Sequence, residues 1–179
     1  MSDAVDRFAD AARARGLDPE TRRFPEGTKT ADDAARAIGC DVGQIVKSLV
    51  FMADDRPVLA LTSGSNRVDE TKLAAAAGAG SVRRATPEEA RTATGFAVGG
   101  TPPLGYEPRS GRRLRAFVDR DLLDFDVAWA AAGAPDAVFP LTPDELVRLS
   151  RERSSSLLSR PDRDVEASMH GPLVGSVAC

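Results

Sequence analysis

Apolar and small side chains recur on a helical period at Val5, Phe8, Ala9 and Ala12, which predicts a helix over 3–16 stopped by Gly16. From Leu17 to Gly27, Pro19 and Pro25 break any long period and leave room for one short strand around Arg22 to Phe24. Thr30, with Asp33 three residues on, opens a second helix; its buried face is Ala34, Ala35 and Ile38 and its end is Gly39. Asp41 and Gln44 bracket a further helical turn. Two apolar runs, 48–52 and 58–62, flank Ala53-Asp54-Asp55-Arg56-Pro57 and predict a hairpin whose strands are apolar enough to be central.

The later half alternates in the same way. Asp69 caps a helix closed by Gly78, Ser81 to Arg84 reads as a short strand, and Thr86-Pro87 with Glu89 carries the cap, first-turn proline and acid of a helix start. Phe96-Ala97-Val98 reads as a strand running into the loop Gly99-Gly100-Thr101-Pro102-Pro103. Strands follow at 113–118, 127–131 and 137–141, with a turn or short helix over 119–124, and Thr142-Pro143 with Glu145 begins a last helix to Ser150. Strands and helices mix without the steady alternation of a parallel doubly wound sheet, so the expectation is a mixed α/β domain over 1–150 around a mostly antiparallel sheet. From Arg151 to Cys179 the apolar period fails, and a C-terminal tail is expected there.

Composition narrows the chemistry. No apolar stretch approaches the roughly 20 residues that span a bilayer. The acidic start lacks an apolar signal core, and two distant cysteines, Cys40 and Cys179, do not suggest a disulfide framework; a cytoplasmic protein is expected. The single histidine, His170, lies in the expected tail, so an imidazole-based triad has no positioned base, and the usual nitrogen and sulfur ligands of a zinc site are not there to assemble. No phosphate-binding loop or dinucleotide fingerprint occurs. Neither a metal nor a cofactor is expected. Asp119 and Asp121 form a possible carboxylate pair, which turn formation and helix capping also explain.

Of 24 Lys and Arg residues only three are lysines, so Lys47 stands out within Ile45-Val46-Lys47-Ser48-Leu49-Val50-Phe51. Such a lysine either lays its stem over apolar surface with its ammonium in water, or holds that ammonium at the rim of a pocket to donate to a carbonyl or phosphate oxygen. The Gly99-Gly100 loop is either an ordinary tight turn or a place where backbone N–H groups approach a ligand. Arg22, Arg23 and Lys29, and Arg109, Arg112, Arg113 and Arg115, form two basic groups that suit RNA phosphates or a solvated surface. A net charge of −3 does not mark a general nucleic-acid binder.

In their joint order these segments resemble the YbaK/EbsC family of aminoacyl-tRNA deacylases, which includes the editing domain of bacterial prolyl-tRNA synthetases. The matching pieces are Thr30-Ala31 with Ala34-Ala35, Gly43 to Phe51, Ser63-Gly64 with Asn66 to Asp69, Thr94 to Gly105, Asp119 with Leu122, Ala132-Gly133, and Thr142 to Leu146. The resemblance spans roughly Val5 to Leu149. It implies a barrel-like, mostly antiparallel sheet with helices outside, and hydrolysis of the ester between a wrong amino acid and the tRNA 3′ end. Such a second sieve answers the limited discrimination of a synthetase pocket, about 1–3 kcal/mol per methylene.

Carried over by position, Lys47 matches the family lysine required for activity, and Gly99 and Gly100 match the loop whose amides approach the ester carbonyl. Phe24 matches an aromatic at the pocket, Thr30 and Ser48 small hydroxyl positions, and Gly133 the pocket wall; Thr101 and Pro102 complete the expected substrate-binding set. Ala131 and Val138 replace a serine and an acid found in cysteine-preferring relatives, which implies an apolar pocket for alanine or a similar residue on tRNA for proline. The acceptor end of mischarged tRNA is the expected partner, with prolyl-tRNA synthetase or an elongation factor as possible protein partners. The alternative is a non-catalytic module that binds tRNA or a synthetase.

Overall fold

The computed structural model describes residues 3–25, 30–106 and 114–151. The expected tail beyond Arg151, Lys29, His170 and most of the second basic group lie outside the described residues. Local capping chemistry sets the helix starts. Asp3 closes a capping box on α1 (Ala4–Arg13), Thr30 caps α2 (Ala31–Ile38) and Asp69 caps α3 (Glu70–Ala77). Thr86 and Glu89 form a reciprocal box on α4 (Pro87–Thr94), and α5 runs Pro143–Arg151. Gly39, Gly78 and Gly95 end their helices in the left-handed conformation that glycine adopts without a Cβ penalty.

Among the described residues seven strands form one sheet: β1 (Arg22–Arg23), β2 (Ile45–Ala53), β3 (Arg56–Ser63), β4 (Val82–Arg84), β5 (Arg115–Val118), β6 (Ala128–Ala131) and β7 (Ala137–Leu141). Their order is β1-β7-β6-β2-β3-β5, with β4 also on β2. Two expectations need correction. Four of the six pairings are antiparallel, as expected, with β2–β6 and β3–β5 parallel; but among the described residues the sheet stays open, ending at β1 and β5 instead of closing into a barrel. The strand expected at Phe96 to Val98 is absent. Gly95 has φ of 77°, the Phe96 N–H turns back to Thr94 Oγ1, and the Gly100 N–H donates to the Ala97 carbonyl, so the chain coils through a turn there.

The period-two alternation of the central strands sorts the core. Val46, Val50, Leu59 and Leu61 face α1, α4 and α5, in a cluster where Phe8 and Phe139 have ring centroids 4.6 Å apart. Phe51, Val58, Ala60 and Phe117 face the other way, onto Leu73 and Ala76 of α3. Ala34 and Ala35 of α2 pack with Ile45. Helices thus cover both faces.

Candidate active site

The site arises from how β2 is paired. On one edge β3 pairs with it continuously, from Val46↔Ser63 to Ala53↔Arg56. On the other edge β6 covers only Ile45 and Val46, and β4 covers only Phe51 to Ala53. Lys47 to Val50 therefore run past a split in the sheet. A cavity of about 470 Å³ opens at this split, within the roughly 300–1,000 Å³ usual for small-molecule sites. One side of it is formed by Thr30, Ala31 and Ala34 from the start of α2, another by Pro87 and Ala90 of α4 with Val98, Gly99 and Thr101 of the following loop. Arg84 and Ala85 bound it at β4, and Trp129, Ala130, Ala131 and Val138 bound it at β6 and β7. Its charged lining residues are Lys47 and Arg84, with no carboxylate among the described residues.

Lys47 is half-buried and tethered. Its Nζ donates to the Gly64 carbonyl at 3.0 Å and to the Asn66 carbonyl. An ammonium has three protons, so one remains for a ligand. The loop that supplies those carbonyls is itself pinned by Asp119, which is 1% exposed. Asp119 accepts from the Ser63 N–H at 3.0 Å, the Asn66 side-chain amide at 2.9 Å and the Asp121 N–H at 3.1 Å. Asp119 thus does cap the following 3-10 turn, and it also braces the lysine's seat. Burial pushes the Lys47 ammonium below its ordinary range, opposed by the nearby Asp119 carboxylate and reinforced by Arg84 and Arg67.

The expected site residues divide into two groups. Lys47, Ser48, Thr30, Gly99 and Thr101 line the one cavity. Gly99 has φ of 87°, open to glycine, and its N–H meets no acceptor among the described residues. The hydroxyl oxygen of Ser48 is buried without a hydrogen-bond partner among them. Gly100, Phe24, Pro102 and Gly133 do not line it. The Gly100 N–H is engaged by Ala97, and a Cβ on Gly100 would lie 2.8 Å from the Ala134 backbone, so this glycine permits a close loop contact. A Cβ on Gly133 would lie 2.4 Å from the Ala4 carbonyl, at the start of α1. Pro102 is buried and its carbonyl accepts from the Tyr106 hydroxyl; the Phe24 N–H bonds to Asp136 at 2.8 Å.

Of the basic residues, Arg23 is committed to Asp3 and Asp136 at 2.7 and 3.0 Å, while Arg22 stacks over Trp129 at 4.8 Å from the ring centroid. Arg84, Trp129 and Val98, which is 56% exposed at the mouth, are cavity residues that the sequence did not single out. Nothing in their local sequence marks them, because their place depends on where β4, β6 and the loop meet β2.

Comparison with known proteins gives this arrangement a family. Residues 25–149 match the model of the aminoacyl-tRNA editing domain. Among curated proteins, proline–tRNA ligase of Streptococcus thermophilus is 31% identical over 139 residues, covering 78% of this chain and 22% of the ligase. Proline–tRNA ligase of Nitratidesulfovibrio vulgaris is 35% identical over 103 residues, 58% of this chain and 17% of the ligase. The chain thus spans about a fifth of the length of these relatives. Among solved structures, a candidate trans-editing enzyme for prolyl tRNA synthetase superposes with a TM-score of 0.76 at 44% identity, covering 84% of this chain and 93% of the other. A hypothetical protein superposes with a TM-score of 0.70 at 28% identity, covering 78% and 90%.

Proposed function

The chain belongs to the aminoacyl-tRNA editing domain family, and from that premise we propose that it is a cytoplasmic trans-editing hydrolase of mischarged aminoacyl-tRNA. Water adds to the ester carbonyl carbon, the bond to the terminal ribose oxygen breaks, and a free amino acid and a tRNA 3′ hydroxyl result. The observation that carries this reading is that Lys47 and Gly99 line the same cavity at the split in the sheet. The third ammonium proton of Lys47 and the Gly99 N–H are donors for the developing oxyanion or the terminal phosphate. Donors fixed before the reaction, in a site shielded from water, stabilise such charge without reorganising. Gly100 supports the loop by packing against Ala134 and is not a donor in this mechanism. Among the described residues the cavity lining holds no histidine or carboxylate to act as base, which favours attack assisted by the terminal ribose hydroxyl.

Ala130, Ala131, Val138 and Trp129 give the cavity an apolar wall, consistent with a small aliphatic acyl group such as alanyl, carried on tRNA for proline. The acceptor end of that tRNA is the macromolecular partner, and prolyl-tRNA synthetase or an elongation factor the protein that would deliver it. The deciding experiment incubates the full chain with a panel of mischarged tRNAs and follows ester loss. Alanyl-tRNA for proline should be hydrolysed fastest. If every ester decays at its rate in buffer while tRNA binds with strong salt dependence, the chain is a binding module instead.

A further inference from the structure

The open edge of β2 exposes very little backbone. Peptide groups of a strand alternate from one edge to the other. The Val50 carbonyl lies on the open edge, where it accepts the Ala85 N–H at 3.1 Å, and Val46 at the other end of the split is paired with Ala130. By that alternation the N–H and C=O of Ser48 face the cavity together, while Lys47 and Leu49 serve β3. Ser48 is therefore the residue of the split with both groups unpaired on this edge, and the Val50 N–H beside it has no acceptor among the described residues.

The acceptors in the lining are few. Thr30 Oγ1 accepts from the Asp33 N–H at 3.1 Å and donates to Asp33 Oδ2 at 2.7 Å, and Thr101 Oγ1 donates to the Ala97 carbonyl. With no carboxylate among the described lining residues, the Ser48 C=O is the strand-edge acceptor offered to an amine. We propose that Ser48 seats the aminoacyl unit as a single residue added to the ladder. Its C=O accepts from a free α-amino group and its N–H donates to the ester carbonyl oxygen, as paired residues do in an antiparallel sheet. This deepens the editing reading and rests on it. The next ladder positions are held by Ala85 and by Ala130, so an acyl group on the amine has no edge along which to run. The substrate class is then aminoacyl esters with an unblocked amine, and N-formylated or peptidyl esters are spared.

The test uses two non-hydrolysable adenosines carrying alanine in amide linkage at the 3′ position, one with a free amine and one N-acetylated. Each is titrated into the full-length ¹⁵N-labelled chain. The free amine form should bind about tenfold tighter or better and shift the Ser48 amide resonance, because acylation turns the charge-assisted bond to the Ser48 C=O into a neutral one and carries the acyl group toward the position that Ala85 holds. Equal affinity, no binding by either compound, or binding that leaves the Ser48 amide unmoved overturns the proposal. Alanyl-tRNA turnover on the same preparation separates the two ideas. Turnover with equal affinities removes the Ser48 subsite alone; selective binding with no turnover on any mischarged tRNA removes the editing reading and leaves an amine-reading pocket.

Discussion

The two edges of β2 differ in everything except the strand they share. Toward β3 the ladder is continuous and the residues opposite, Leu59, Ala60 and Leu61, are fully buried. Toward β6 and β4 the ladder is interrupted, and the interruption holds a tethered lysine, a hydroxyl unpartnered among the described residues and a glycine turn. Breaking one edge of a strand that the other edge already secures makes room for a ligand at little risk to the fold. That asymmetry predicts that substitutions at the open edge act on turnover and those at the closed edge on stability.

Lys47→Ala should produce the largest effect, a fall in ester hydrolysis of roughly 10²–10³-fold, the scale of a lost transition-state donor. Its thermal midpoint should stay close to that of the parent chain; unchanged turnover would remove Lys47 from the mechanism. On the closed edge, Leu61→Ala deletes a wholly buried side chain and should cost about 2–5 kcal/mol in denaturant unfolding. Below its unfolding midpoint that variant should keep its turnover. The glycine pair sharpens the contrast within one loop. Gly100→Ala drives a Cβ into the Ala134 backbone and should destabilise by about 1–3 kcal/mol. Gly99→Ala meets nothing nearer than Pro135 at 3.8 Å but strains a φ of 87°, a cost of about 1–2 kcal/mol, so its larger signature should be in turnover.

The smallest effect concerns the wall of the split. Arg83 chelates Glu89 at 2.6 and 2.8 Å, and Glu89 also receives the Thr86 N–H, which ties β4 to α4 beside the cavity. The hydrogen bond from Arg83, followed by that from Thr86, lowers the Glu89 carboxyl from 4.5 to about 2. A carboxyl depressed on folding stabilises above its unfolded value and loses that contribution as pH falls through the folded one. Glu89→Gln should therefore lower the thermal midpoint slightly at neutral pH. The gap to the parent chain should shrink below pH 4.5 and close near pH 2.

Much of this was legible in the chain itself. Thr30, Asp69, Thr86 and the glycines at 39, 78 and 95 announced helix boundaries, because a cap is satisfied by groups three or four residues away. The joint order of motifs pointed to Lys47 and Gly99. Gly100 and Gly133, expected at the site, fall outside the cavity lining for an equally physical reason: a glycine needed for close backbone approach and one needed at a ligand look alike until the opposing atoms, Ala134 and Ala4, are in place.

Local periodicity and capping by themselves determined most helix and strand segments, the turn at 96–98 excepted, and which side chains of β2 and β3 face each layer, since those energies depend on near neighbours along the chain. Tertiary structure alone decided that β6 runs parallel to β2 for two residues, that β4 meets it only at the far end, and that the sheet stays open. Strand partners are chosen by the summed packing of segments distant in sequence, and the cavity exists only where two such partners fail to meet.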